Sequence, residues 1–146
     1  MASRFPIPKF HFEVEWGGTR LGFTEVSGLS LETQVIEYRE GSDPELTARK
    51  LPGLTKFSNI ILKRGMVTGD NEFFKYWQET SRFLEGSFRR DITIKLLNDE
   101  HNPVFVWRAK SAWPCKIEFG DLNANSNEIE IETMELTHEG IYVEAI

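Results

Sequence analysis

The chain has 146 residues, with seventeen basic and twenty-three acidic side chains, which give a formal net charge of −6. Hydrophobic residues make up 40% and aromatic residues 12%, which is typical of a folded globular domain rather than of a disordered chain. The acidic balance argues against a protein that binds the phosphate backbone of nucleic acids, because such binding needs a basic surface. The single cysteine, Cys115, excludes an intrachain disulfide and a cysteine-rich zinc site.

The first quarter of the chain shows the alternation of apolar and polar residues that is typical of half-buried strands. Residues 10–16 alternate in this way, and the two glycines that follow them favour a tight hairpin turn. Residues 19–26 and 29–38 are predicted as the next two strands.

Residues 39–53 show no periodicity and contain two prolines and two glycines, which argue against a regular element. A loop of this length is uncommon in a compact domain unless it is functional or disordered. Its acidic and basic side chains balance, which favours an ordered docking surface. We therefore expect an extended loop over about residues 39–56.

The chain then shows one strand pattern and the only convincing helix pattern. Residues 57–64 are predicted as a strand. Asp70 can cap a helix whose apolar stripe is spaced at helical intervals and which ends near Gly86. The stripe consists of Phe73, Trp77, Thr80 and Leu84, widened by Phe74, Tyr76 and Phe83.

Strands resume over residues 90–97, 104–113, 116–119 and 128–137, and Pro114 is expected to end the second of these. In the last strand the apolar positions change parity, from Ile129 and Ile131 to Met134 and Leu136. Such a change predicts a bulge near Thr133, or a strand that passes from one sheet to another. Together, these patterns predict a single, mainly β domain over residues 1–146. Its expected architecture is an antiparallel two-sheet barrel or sandwich with one flanking α-helix.

The residues offer no pattern for catalysis, a cofactor or a metal. His11, His101 and His138 have no nucleophile beside them in the sequence and are expected to be solvated. Residues 121–132 place oxygen-bearing side chains as a calcium loop does, but Ser126 stands where that loop needs glycine. Cys115 is expected to be a small buried or interfacial hydrophobe.

Several blocks of sequence, taken in order, resemble the tail tube proteins of contractile-tailed phages. The resemblance is strongest to inner-tube proteins of extracellular contractile injection systems and more distant to the haemolysin-coregulated protein of type VI secretion. The blocks cover nearly the whole chain: residues 10–18, 22–29, 36–41, 49–57, 61–65, 89–94, 112–116 and 131–141.

The resemblance implies two packed antiparallel sheets with a flanking helix, and a structural protein that is not an enzyme. It implies hexameric rings that stack into a hollow tube and carry cargo. The implied partners are other copies of the chain, a sheath protein, baseplate or spike proteins, tube-terminating proteins and effector cargo. A free hexameric ring that carries an effector and a small-ligand β-barrel binder stay open as alternatives. The sequence does not distinguish a phage tail from an injection system.

Two groups of residues are candidates for assembly and transport. The family's use of an extended loop after the third strand predicts that the loop contacts the next ring. Strand faces with alternating acids are candidates for the wall of the channel. The loop candidates are Arg39, Glu40, Asp43, Glu45, Arg49, Lys50 and Leu51, and the lumen candidates are Glu13, Glu15, Glu128, Glu130 and Glu132.

The beginning of the chain has no apolar run that resembles a signal peptide, and no stretch is long enough to span a bilayer. We therefore expect assembly in the cytoplasm without a cleaved signal and no membrane insertion by the monomer. The product is expected to be part of a phage-tail-like particle, either released or anchored at a membrane.

Overall fold

The computed structural model describes residues 5–16, 19–80 and 88–146, with the backbone alone for residues 19–21. These residues form antiparallel strands and one short helix, so the predicted mainly β class is confirmed. The elements are β1 (Phe12–Trp16), β2 (Thr19–Leu21), β3 (Glu25–Ser27), β4 (Leu31–Tyr38), β5 (Arg49–Phe57), β6 (Ile60–Gly65), α1 (Glu72–Glu79), β7 (Arg90–Leu97), β8 (Pro103–Phe119), β9 (Ile131–Thr137) and β10 (Ile141–Ala145).

The long strand β8 belongs to two sheets and joins them. Its first half pairs with β7 and β10, so that the first sheet contains β2, β1, β7, β8 and β10. Its second half pairs with β9, so that the second sheet contains β8, β9, β6 and β3. The pairing shifts by one residue between Pro114 and Lys116, and this bulge accommodates a residue without an N–H group. The prediction that Pro114 ends the strand is therefore wrong.

The core lies between the facing sides of the two sheets and is closed on one side by α1. Val14 and Ile94 of the first sheet and Leu62 and Met134 of the second are buried in one cluster with Phe73 of the helix. The hydroxyl of Tyr76 donates to the carbonyl oxygen of Ala112 over 2.7 Å and fixes the helix against β8.

The helix differs in detail from its prediction. It begins at Glu72 after Asn71, although Asp70 still accepts the free backbone N–H of Glu72. Phe73 and Tyr76 face the core, whereas Phe74 and Trp77 are exposed, so their predicted places in the apolar stripe are wrong. The predicted helix end near Gly86, with Phe83 and Leu84, lies outside the described residues.

Half of the predicted loop is a strand. β5 begins at Arg49 and runs through Pro52 and Gly53, so that only residues 39–48 connect β4 to β5. These two strands form a separate two-stranded sheet, and Pro52 is tolerated because β5 pairs with no other described strand. The prediction of a loop over residues 49–56 is therefore wrong.

The last predicted strand is shorter than expected, and a further strand follows it. β9 pairs with β6 without a shift, so the predicted bulge near Thr133 is absent. The parity changes because Glu132 faces the core together with Met134 and Leu136, while Ile129 precedes the strand and is exposed. β10 was not predicted, because its run Ile141, Tyr142 and Val143 does not alternate between apolar and polar residues.

Candidate assembly surfaces

The β4–β5 hairpin stands away from the body of the protein, and every side chain of β4 is exposed. Ile36 lies opposite Leu51 and Tyr38 opposite Arg49, so these side chains share one side of the hairpin. We call Ile36, Tyr38 and Leu51 the apolar hairpin face. The other side carries the pair Glu37 and Lys50 together with the exposed Leu31 and Val35, so it is mixed in character.

The loop at the end of the hairpin is ordered by its own charged residues. The Arg39 side chain donates to the carbonyl oxygens of Glu45 at 2.9 Å and Asp43 at 3.3 Å. The backbone N–H of Glu40 donates to the Asp43 carboxylate at 3.0 Å, and Tyr38 donates to the Glu40 carboxylate at the same distance. Of the predicted ring-contact residues, these four therefore shape the loop, whereas Arg49, Lys50 and Leu51 lie on β5.

The first sheet has an outward side that is charged, and the structure brings Glu13 and Glu15 together on it. Glu15 lies 2.7 Å from Lys95, and Arg108 pairs with Glu144 on the neighbouring strands. Strand register places eight residues here, which we call the polar face: Glu13, Glu15, Thr93, Lys95, Val106, Arg108, Tyr142 and Glu144. Three carboxylates and two cations make it nearly balanced in charge, so Glu13 and Glu15 do not lie on an acidic stripe.

The other three lumen candidates do not form a stripe. Glu132 is 2% exposed and its carboxylate lies 2.5 Å from the Arg64 guanidinium, so its prediction as a lumen-facing residue is wrong. A charge in the core persists only when it is paired, and Arg64 occupies the opposite position on β6. Glu128 is exposed and Glu130 is half-buried, and both precede β9.

Arg64 is the centre of a buried charged cluster that sequence reasoning missed. Besides Glu132, its guanidinium binds Asp70 at 3.0 Å and lies 4.3 Å from the ring centre of Phe73. The backbone N–H of Glu72 lowers the pKa of Asp70, and Arg64 adds to that effect. The cluster ties β6 and β9 to the start of α1. The strand alternation Ile60, Leu62, Arg64 was the signal that this arginine faces inward.

The histidines and the cysteine form no catalytic group. The rings of His11 and His101 lie 4.8 Å apart, and His138 contacts the carbonyl oxygen of Ser58 at 2.9 Å. Cys115 is exposed in the single chain, so of its two predicted places, buried or interfacial, the interface alone stays a prediction. Partial desolvation raises the pKa of its thiol. In the part of the chain that the structure describes, no three His, Cys, Asp or Glu side chains could hold a metal ion together.

Within the same described ranges, no helix has the length and apolar character needed to cross a membrane.

Residues 8–142 match the family model of the T4-like virus tail tube protein gp19. The chain belongs to this tail tube family. The tail tube fold also occurs in the extended sheath–tube complex of the PVC extracellular contractile injection system. A chain of that complex is 29% identical with a TM-score of 0.85, and the match covers 98% of this chain and 94% of that one. Among curated proteins, none matches the chain.

Two further structures mark the range of this similarity. A chain in the tube-terminating cap of the anti-feeding prophage is 27% identical, with a TM-score of 0.86 over 100% of this chain and 95% of that one. Hcp1 from Flavobacterium johnsoniae is 16% identical, with a TM-score of 0.53 over 92% and 94% of the two chains, and shows the fold alone. This protein is thus a structural tail tube subunit of a contractile injection system or phage tail, and not an enzyme.

Proposed function

We propose that copies of this tail tube subunit close into hexameric rings, and that these rings stack into a hollow conduit. The observation that carries the proposal is the pair of open edges of the first sheet. β2 and β10 lie at its opposite ends, and each has one neighbour among the described strands. Open edges carry unpaired N–H and C=O groups that favour pairing with another chain. Pairing β2 of one copy with β10 of the next repeats one head-to-tail contact, which forms a ring where the rotation closes.

In such a ring the polar face lines the channel. The opposite side of the first sheet is packed in the core, so one side alone is free to face a lumen. The cross-strand pairs Glu15–Lys95 and Arg108–Glu144 leave a polar wall with little net charge. A wall of this kind attracts neither acidic nor basic cargo strongly, and it offers no large apolar patch to unfolded protein.

The partners follow from the complexes in which its relatives occur. Those relatives were observed in a sheath–tube complex, in a tube cap and in a baseplate. We infer the same partners for this subunit, within a particle that acts outside the cell that made it, with effector cargo in the channel. The exposed β4–β5 hairpin favours stacked rings over a free effector-carrying ring, since it supplies a surface that an isolated ring leaves uncovered. Buried side chains of both sheets and of α1 fill the space between the sheets, which argues against a barrel that encloses a small ligand.

The proposal predicts long tubes of stacked rings when the purified protein is concentrated and viewed by negative-stain electron microscopy. Isolated rings at every concentration would instead support the free carrier. Particles that stay monomeric under all conditions would contradict both.

The position of the polar face is tested by labelling. Thr93 lies on the polar face, and Thr133 is a matched half-buried threonine on the outward side of the second sheet. Each is replaced by cysteine in a Cys115→Ser background, and assembled tubes are treated with a small maleimide and with maleimide-bearing gold wider than the channel. We expect the small reagent to label both variants and the gold to label along Thr133→Cys tubes alone. Gold bound along Thr93→Cys tubes would contradict a lumen position.

A further inference from the structure

Two histidines that are distant in the sequence lie side by side at one end of the first sheet. His11 precedes β1, and its carbonyl oxygen accepts the backbone N–H of Leu97 at the end of β7. His101 lies in the turn that joins β7 to β8. The centres of the two imidazole rings are 4.8 Å apart, and the ring planes are inclined at 60°. The fold therefore creates a histidine pair that no sequence motif reveals.

The ring nitrogens of this pair are free to bind a ligand. In the part of the chain that the structure describes, neither His11 nor His101 uses its imidazole in a hydrogen bond or an ion pair. The third histidine differs, because both ring nitrogens of His138 are engaged, one with the carbonyl oxygen of Ser58 and the other with the N–H of Gly140. His11 is half-buried and His101 is exposed, so a small solute can reach the pair from solvent.

The turn holds His101 in a fixed and uncommon backbone conformation. The Asn98 side chain accepts the backbone N–H groups of Glu100 and Asn102, at 2.9 and 3.0 Å. The backbone N–H of His101 donates to the carbonyl oxygen of Asn98. His101 has a φ of 63°, in the left-handed region that is uncommon for residues other than glycine. Residues held in such conformations cluster at active sites and ligand clamps.

We propose that His11 and His101 together bind one divalent transition-metal ion of the kind that imidazole suits, Cu²⁺ or Zn²⁺. A metal ion that two imidazole nitrogens bind at about 2.0–2.1 Å holds the ring centres roughly 5 Å apart. The observed separation of 4.8 Å matches this value. Among the described residues no third His, Cys, Asp or Glu joins the pair, so water completes the coordination of the metal.

The charges around the pair favour a cation. The turn contributes two exposed carboxylates, Asp99 and Glu100, and no basic residue, so its field attracts positive ions. Lys9 precedes the pair in the sequence, but it is exposed and solvent screens its charge. Phe10 lies beside His11 with the ring centres 4.5 Å apart, which restricts the rotation of that imidazole. The same row of rings also defines the competing interpretation, an aromatic contact that binds no metal.

A titration with Cu²⁺, followed by electron paramagnetic resonance, distinguishes these two interpretations. The parent for the titration carries Cys115→Ser, since a thiol also binds copper. We expect one Cu²⁺ per chain, with nitrogen couplings from two imidazoles. Because the chain has only three histidines and both ring nitrogens of His138 are engaged, two imidazoles on one ion identify the pair. This reading needs no substitution in the pair, so it stands even where a variant fails to fold.

Three variants assign the ligands. His101→Asn removes one imidazole and keeps a residue that tolerates the left-handed conformation, and His11→Gln removes the other imidazole. Each should weaken Cu²⁺ binding about a hundredfold, because the second of two linked contacts forms within one molecule. The matched control, His138→Gln, should bind Cu²⁺ like the parent.

The outcomes separate this inference from the proposed function. Absence of saturable binding, or a signal from a single imidazole in the parent, would overturn the metal site and leave the aromatic contact. Unchanged affinity in both His11→Gln and His101→Asn would also overturn it. The measurement applies to free subunits and to assembled tubes alike, so a failure to assemble would reject the proposed function without deciding the metal site.

Discussion

Replacement of residues 39–48 by a two-residue turn is expected to leave hexameric rings intact and to stop their growth into tubes. The loop stands at the far end of the β4–β5 hairpin, and its described hydrogen bonds run within the loop and from Tyr38. Shortening a loop changes the free energy of closing it by only about 0.6 kcal/mol for each halving of its length. The stability of the subunit should therefore change little, while the ring-to-ring contact is lost.

Electron microscopy and thermal unfolding measure the two halves of this prediction separately. For the shortened chain we expect rings without tubes and an unchanged melting temperature. The double variant Arg49→Glu, Lys50→Glu keeps the loop at its full length and is a milder test of the same contact. It should assemble less well and in a salt-dependent way, because exposed ion pairs contribute only ~0.2–1 kcal/mol each. Full-length tubes from the shortened chain would show that the loop is not the stacking contact.

Strand prediction from the sequence succeeded where one side of a strand is buried and the other is exposed to solvent. β1 and β7 show this alternation, because Val14 and Ile94 enter the core while Glu13 and Lys95 stay outside. The hairpin could not be predicted in the same way. β5 pairs with β4 apart from the core, so burial imposes no alternation on it, and the Pro52–Gly53 pair reads as a loop.

The charged cluster escaped prediction because its members are distant in sequence. Glu130 and Glu132 look equivalent in the sequence, yet Glu132 alone is buried. What distinguishes them is Arg64, which is 68 residues away and lies opposite Glu132 when β6 pairs with β9. Alternation in the sequence shows which residues share a side of a strand. It does not show which charged residue on that side pairs with a charge on another strand.

Arg64→Met is expected to destabilise the subunit by about 3–5 kcal/mol, the usual cost of removing one partner from a buried ion pair. Glu132 is 2% exposed and would remain in the core without its cation. Asp70 and the start of α1 would also lose their anchor to β6. The free energy of unfolding, measured by urea denaturation at neutral pH and followed by circular dichroism, gives the size of the loss.

The double variant Arg64→Met, Glu132→Leu separates the unpaired charge from the loss of packing. Replacing both members of a buried pair by apolar residues is often neutral or stabilising, so we expect the double variant to recover most of the stability. Asp70→Asn should cost less than Arg64→Met, because the Asp70 side chain is 30% exposed and water can replace part of its interaction with Arg64. A double variant as unstable as Arg64→Met would show that the arginine acts mainly through its contacts with Asp70 and Phe73.

The same cluster predicts how stability responds to acid. The pKa of Asp70 is lowered in the folded state from its ordinary value of 3.8. Its contribution is therefore fully present above that value and is lost as the pH falls through the lower folded pKa. In Asp70→Asn this part of the acid dependence should disappear, while the parent chain loses stability below about pH 4. Because Asp70 bonds both Arg64 and the first N–H of α1, acid should loosen the helix from the sheet before the strands separate. Equal acid dependence in the two proteins would show that other carboxylates govern the transition.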